Sequence, residues 1–574
     1  MNTNHAMKRW LSPSRLMGIA VALFLIWFIV AFLMYPNLSL LLKTFIKDGS
    51  FTFEPFRQLW HSGKAMKSLL NSFILAFSLM ITVNIAGVFL VMVTEYFDIR
   101  GAKILKLGYF TTLVCHGIIL IAGYQYVYGP SGVVTQLLMR IFSDLDPNWF
   151  TGYGAVLFVM TFAITSNHVI FLSTALRRID YQTIEVARNM GASEFRIITQ
   201  IVLPVLKPSI IAITILNFHT GITALSSPMI QGGDHFQSIN SIILILAGSE
   251  YSRGVAAALS IILGLATFLI LTFLMRKDMD ENFTAVSKVS SRIQKKKIAN
   301  KPTNFLMHAA AYLLFVIYLL PLAIIFVFSF TDSYSIANGI ISLDRLTLSN
   351  YIYVFSQPNG YKPYLVSLFY CLGAAVLVVV LCLIVARILH KSNNKLVTRS
   401  LEYATLIPWL LPSSMIALGL IYTYNTPKWL VGNYVLVGSI WIMLLAYIVV
   451  SIPFSIRLIK ASFFGIDGSL EEAAKSMGAK TFYTFRRVIL PMILPTALAV
   501  IALNFNGLLV NYDVTAFLYH PLLQPLSIVI TSSVSENAVS SEVDTKAVSL
   551  VYSVVIMIIS SISLYLIYGR NSNR

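Results

Sequence analysis

Apolar residues in this chain gather into long unbroken runs, neither alternating as in a half-buried strand nor repeating on one face as in an amphipathic helix. Twelve runs are long enough, at about 20 residues each, to cross a bilayer core as helices. They lie near 17–41, 69–93, 107–127, 153–175, 206–227, 255–275, 305–331, 365–386, 402–424, 434–455, 492–512 and 546–568. The pattern predicts an all-α polytopic membrane protein. Lys8, Arg9 and Arg15 precede the first run and no small-residue cleavage pattern follows it, so the first run reads as a retained anchor helix.

The pattern repeats. Residues 180–208 read DYQTIEVARNMGASEFRIITQIVLPVLKP and residues 467–495 read DGSLEEAAKSMGAKTFYTFRRVILPMILP, aligned without a gap at an offset of 287. Asp180 meets Asp467, Glu185 meets Glu472, Ala187 meets Ala474, Met190-Gly191-Ala192 meets Met477-Gly478-Ala479, and Leu203-Pro204 meets Leu490-Pro491. The offset continues to Asn217-Phe218 and Asn504-Phe505. With six spans in each repeat the halves run parallel, and both copies fall between the fourth and fifth spans. The division expected is a membrane domain over 1–280, a basic cytoplasmic linker over 281–304 and a second membrane domain over 305–574.

Charge orients this arrangement. The chain carries 42 Lys and Arg against 24 Asp and Glu. With the N-terminus inside, most of the basic residues fall in cytoplasmic loops, the bias of a plasma-membrane protein with both termini in the cytoplasm. The first outer loop departs from it, with Lys43, Lys47, Arg57, Lys64 and Lys67, which a docking partner or ordinary solvation explains equally. No aromatic residues interleave with the basic ones as a nucleic-acid surface requires. Cys115, Cys371 and Cys382 all sit in apolar runs without metal-ligand spacing and read as packing residues.

The repeated segment predicts helix, glycine turn, helix. Asp180 and Asp467 are placed to cap the first turn, with Ser469 and Glu472 offering a capping-box alternative in the second copy. Gly191 and Gly478 stand where the helix ends and the backbone turns left-handed. Phe195, Ile198, Ile201 and Val202 then recur at helical spacing up to Leu203-Pro204, where proline suits a helix start.

These residues closely resemble the EAA loop of bacterial ABC importer permeases of the binding-protein-dependent type: Glu-x-Ala, a Gly four residues on, and Leu-Pro twelve beyond it. The first copy departs from the pattern at Val186, where the family has Ala, as Ala473 does. The resemblance implies the type I importer permease fold and a coupling helix in each half seated in a groove of an ATPase. By position it implicates Glu185, Ala187, Gly191, Leu203 and Pro204, and Glu472, Ala474, Gly478, Leu490 and Pro491. It also implies a bacterial inner-membrane location and an extracytoplasmic substrate-binding protein as partner.

No segment has the Gly-x-x-x-x-Gly-Lys-Ser/Thr spacing that cradles nucleotide phosphates, and dispersed His116, His168, His219 and His520 form no catalytic grouping. The chain therefore reads as a transport subunit, not an enzyme, with no cofactor of its own. ATP and Mg belong on a separate ATPase, in two copies because there are two loops. Polar residues inside apolar helices mark either a pathway or helix-to-helix hydrogen bonds. Asn217 and His219, matched by Asn504 and Asn506, with Tyr512 and Asp513 beyond, are the candidates for a translocation path. An ion-gradient carrier is the rival of a different class, and the repeated loop argues against it, since such a carrier has no ATPase to seat. Residues Tyr96 to Gly101 and Arg253 to Ala258 look closest to the ferric iron permeases. Fused permeases for thiamine and phosphonates share the layout.

Overall fold

The computed structural model describes residues 13–47, 49–176, 179, 181–279, 294–392, 394–534 and 543–564. Among these, nine helices are long and apolar enough to cross a membrane, and two bent helix pairs bring the number to eleven. The first repeat contributes Ile19–Phe45, Gly63–Tyr96, the pair Tyr153–Ile164 and Ser166–Leu176 bent by 41°, Glu194–Ile222 and Arg253–Ile270. The second contributes Lys301–Ser329, Pro358–Lys391, the pair Lys395–Leu410 and Ser413–Tyr424 bent by 104°, Ile440–Phe464, Thr481–Leu509 and Thr545–Ser563. The remaining expected span, 107–127, is two shorter helices, Ala102–Val114 and Ile118–Tyr128.

Three expected continuous helices are therefore broken, 107–127, 153–175 and 402–424, and the cause is plain at the first and the last. Gly117 holds φ +60, and a Cβ there would stand 3.1 Å from the Val510 carbonyl of the other repeat, so only glycine fits. In the second repeat the break falls at Leu411-Pro412, where Pro412 lacks an N–H and pushes its predecessor to extended backbone, ψ 137°.

The first span of each repeat packs on the third span of the other. Tyr424 Oη donates to Ala31 O at 2.5 Å and Trp27 Nε1 to Leu430 O at 2.8 Å; reciprocally, Tyr109 Oη donates to Ala311 O at 2.7 Å and Tyr124 Oη to Ile317 O at 3.3 Å. Small residues permit the close approach: a Cβ on Gly123 would meet Pro321 at 2.9 Å, and one on Gly419 the Pro36 backbone at 3.1 Å.

Between its fifth and sixth spans each repeat carries two short helices, too short to register as hydropathy runs. They are Ser226–Gln231 and Ile239–Ala247, then Thr515–Leu518 and Leu526–Val534. Their buried backbone is satisfied by serines on the second spans: Ile239 N donates to Ser72 Oγ and Leu526 N to Ser367 Oγ, both at 2.8 Å. Irregular backbone at such depth survives only when protein groups pair it.

Most of the stretch expected as a linker lies outside the described residues. Its later part is held in place: Lys296 N donates to Tyr96 O at 2.9 Å, Asp98 N to Lys296 O at 2.8 Å, and Lys295 Nζ to Thr94 O at 2.6 Å. Residues 301–304 already belong to the helix Lys301–Ser329.

Candidate functional site

The two repeated loops fold alike. Helix Tyr181–Asn189 corresponds residue for residue to Gly468–Ser476. Each ends in the same paired hydrogen bonds: Ala192 N to Ala187 O at 3.0 Å with Gly191 N to Arg188 O at 2.9 Å, and Ala479 N to Ala474 O at 3.0 Å with Gly478 N to Lys475 O at 2.9 Å. That closure needs a left-handed residue, and the glycines supply it at φ +81 and +80. Asp467 caps the second helix, accepting from Ser469 N at 2.9 Å, so the Asp cap forms there and the Ser469/Glu472 capping box does not. Asp180 lies outside the described residues.

Beyond each glycine the chain runs as one helix into the fifth span, so Leu203-Pro204 and Leu490-Pro491 are not helix starts. A π-helical turn, Ile198–Val202 and Phe485–Ile489, precedes each Leu-Pro. A wider turn there accommodates a proline that has no N–H and whose ring crowds the preceding turn.

Burial separates the motif residues into two sets. Ala474 is buried and Ala187, Leu203 and Leu490 half-buried, holding the loops to the bundle; Glu185, Glu472, Gly191, Gly478, Pro204 and Pro491 are exposed. Large apolar side chains stand out beside them: Met190 and Met477 are each 82% exposed, Phe195 78% and Phe482 63%. Phe195 thus faces outward instead of continuing the buried stripe with Ile197 and Val202. The two outcrops are matched between the repeats, Met190 with Met477 and Phe195 with Phe482.

The loops are fastened to the bundle differently, and the repeat alone did not signal it. In the second, Arg387 reaches Glu471 with two bonds, 3.1 and 2.6 Å, and holds its carboxyl below the ordinary range against the burial of the site. In the first, Glu194 accepts from Arg188 Nε at 2.8 Å and Tyr96 Oη at 3.0 Å, with Lys296 Nζ at 3.1 Å.

Of the path candidates, Asn504 is taken up within its own repeat, Nδ2 donating to Ser455 Oγ at 2.7 Å. The offset of 287 sets His168 where Ser455 stands, yet His168 Nε2 pairs instead with Asn84 Oδ1 at 2.9 Å. Asn84 Nδ2 is already committed to Met80 O and Thr214 Oγ1, leaving Oδ1 as the acceptor. Asn217 Nδ2 consequently has no partner, nor do His219 Nε2 and both amide atoms of Asn506. Among the described residues no hydrogen bond joins the Asn217/His219 pair to the Asn504/Asn506 pair. Tyr512 and Asp513 do meet the first repeat: Tyr512 shares a buried cluster with Leu225 and Ile528, and Ser226 Oγ donates to Asp513 Oδ1 at 3.1 Å. Ser226 escaped sequence reasoning because serine is unremarkable in a loop; the offset of 287 from Asp513 was the available signal.

Parallel repeats of apolar helices, interlocked through exchanged first spans and bearing a matched loop each, define a multi-pass transport permease. Comparison with known proteins makes the class specific. The family described as "Binding-protein-dependent transport system inner membrane component" matches residues 379–574. A probable ABC transporter permease protein, y4fN, of Sinorhizobium fredii is 37% identical over 93% of this chain and 93% of its own length. A putative ferric transport system permease protein, FbpB 1, of Haemophilus influenzae is 23% identical over 87% of this chain and 78% of its own. A putative 2-aminoethylphosphonate transport system permease protein, PhnV, of Salmonella typhimurium is 25% identical over 39% of this chain and 80% of its own. The chain belongs to the ABC transporter permeases of the binding-protein-dependent type. It is a membrane transport subunit, and its family implies an ATPase and a binding protein as partners.

Proposed function

We propose that this permease carries ferric iron, released by an extracytoplasmic binding protein, into the cytoplasm, driven by two copies of a separate ATPase seated on the loops Tyr181–Asn189 and Gly468–Ser476. The observation that carries the ATPase seating is the pair of matched exposed outcrops around Met190 and Met477, on glycine-capped helices of equal geometry. Packed against an ATPase groove, each short helix transmits closure through its π turn directly into a fifth span. Asn217, His219, Asn504, Asn506, Tyr512 and Asp513 lie along the path between domains 1–280 and 305–574, with both termini and the 281–304 linker in the cytoplasm. ATP and Mg act on the partner.

Iron as cargo is supported by the putative ferric permease relative, whose similarity spans both repeats. Thiamine and phosphonates are the alternatives. Reconstituted with its ATPase and binding protein, the permease should bind two ATPase copies by native mass spectrometry and import labelled ferric ion in a vanadate-sensitive way. Uptake insensitive to vanadate but abolished by ionophores would replace this reading with a gradient-driven carrier. Ferric uptake competed away by phosphonate or thiamine would reassign the cargo.

A further inference from the structure

Ser226 and Asp513 occupy the same position of the repeat, and they are hydrogen-bonded to one another with a separation of 287 residues. In a molecule of two parallel repeats, corresponding elements are related by rotation about an axis along the membrane normal. A residue touches its own counterpart only where both stand beside that axis. The preceding counterparts, Leu225 and Tyr512, share one buried cluster. The two halves therefore close on each other at 225–226 and 512–513, and a solute moving between the halves crosses this point.

The closure is chemically lopsided. The first repeat brings a hydroxyl and the second a carboxylate, and among the described residues no basic side chain pairs with Asp513. One hydroxyl donor is poor compensation for a half-buried carboxylate, and uncompensated charge inside a membrane bundle is costly. A symmetric seam needs no such group, since Ser226 shows that a neutral residue closes the same position. Asn506, near the C-terminal end of the helix that precedes Asp513 in the chain, is 4% exposed with neither amide atom paired.

We infer that Asp513 is a cation contact on the translocation axis: opening breaks the Ser226–Asp513 bond and turns the carboxylate to the passing solute. This rests on the importer reading and narrows its cargo to metal cations or cationic complexes, against oxyanions such as sulfate or phosphonate, which the bare carboxylate repels. Among the described residues no group of three His, Cys, Asp or Glu gathers as for a resident metal. A single carboxylate holds a cation briefly and releases it, as conduction requires.

The test uses proteoliposomes holding the permease and its ATPase, with the iron-loaded binding protein outside, and reads labelled ferric ion imported per ATP hydrolysed. Asp513→Asn should lower that ratio at least tenfold, and Asp513→Ser, which copies the first repeat, should do the same. Asp513→Glu should keep a third or more. Binding-protein-stimulated ATP hydrolysis in each variant reports folding and docking. As a check on the seam, the Leu225→Cys/Tyr512→Cys double variant should cross-link under mild oxidation and stop import until reduced. An unchanged ratio in Asp513→Asn, or failure of the cysteines to cross-link in folded protein, overturns the inference. ATP-dependent import of labelled sulfate or 2-aminoethylphosphonate instead of ferric ion overturns it while leaving the importer standing. Absence of any ATP-dependent import by the unaltered protein removes the importer reading beneath it.

Discussion

The loop helices Tyr181–Asn189 and Gly468–Ser476 share a backbone and differ in what holds them. In the second repeat Arg387 clasps Glu471 and lies over the Phe485 ring at 5.8 Å. The register that sets Ser72 against Ser367 sets Met92 against Arg387, and the offset of the loops sets Ile184 against Glu471. Met92 and Ile184 lie together in one buried apolar cluster. An ion pair in one half has apolar residues of a single buried cluster at the matching positions of the other. The first loop keeps its charged fastening elsewhere, at Glu194, and one strand of it, Lys296, comes from the segment leading into the second repeat. Backbone geometry is thus the shared requirement, while the attachment beneath it drifts. A homodimer of one repeated subunit has no such freedom; a chain carrying both halves does.

The comparison breaks first at the feature the loops share. Gly191→Val and Gly478→Val each force a β-branched residue into left-handed backbone, at a cost of about 1–3 kcal/mol. Nothing stands within 4 Å of either added Cβ, so the effect is on backbone alone. ATPase co-purification should fall by tenfold or more for each, and unequal losses would show that the two seats do not share the load evenly.

The attachments come next. Arg387→Ala takes both charged hydrogen bonds from the partly buried Glu471 and leaves it only Lys391 Nζ at 3.9 Å, a loss of about 1.5–3 kcal/mol for a charged hydrogen bond. Limited proteolysis should cut the second loop severalfold faster. The double change Arg387→Met with Glu471→Ile, which copies the first half, should recover most of the protection, and no recovery would mean that the two halves are packed on different principles. Glu194→Gln should matter less, because the site is a third open to solvent and surface ion pairs contribute about 0.2–1 kcal/mol. It should loosen the first loop alone, about twofold in proteolysis.

Acid sharpens the contrast more gently. A carboxylate whose folded value is depressed stabilises the fold above its ordinary value and loses that contribution only as pH falls through the lowered one. Arg387 holds Glu471 down in this way. Protease protection of the second loop should therefore stay flat from about pH 7 to 5 and decline only below the ordinary Glu value of about 4.3. The smallest effect belongs to exchanging Val186 and Ala473, both on the exposed face. Val186→Ala with Ala473→Val should shift ATPase affinity by less than about twofold, within the usual range for surface substitutions.

Several features were legible in the residues because they rest on local or periodic causes. Long apolar runs announce spans, and a Gly before a turn announces a left-handed cap. Breaks within spans were less legible: the space beside Gly117 is closed to any side chain by Val510 of the far repeat, and no window of sequence contains both. The short helices Ile239–Ala247 and Leu526–Val534 escaped because each is less than half a span. Their backbone depends on Ser72 and Ser367, far away along the chain. Phe195 and the Leu-Pro pairs read as core and helix start from spacing, whereas the chain carries one helix through the prolines by widening a turn.

What the sequence by itself determined is the membrane class, the doubling at 287 and the identity of the two loops, since hydropathy, glycine stereochemistry and an exact repeat are properties of neighbouring or matched residues. Tertiary structure alone decided the exchange of first spans, the different fastenings at Arg387 and Glu194, and the meeting of Ser226 with Asp513. Each of these depends on how two distant surfaces come to face one another. A repeat shows that two positions are equivalent; only folding about a common axis shows that they touch.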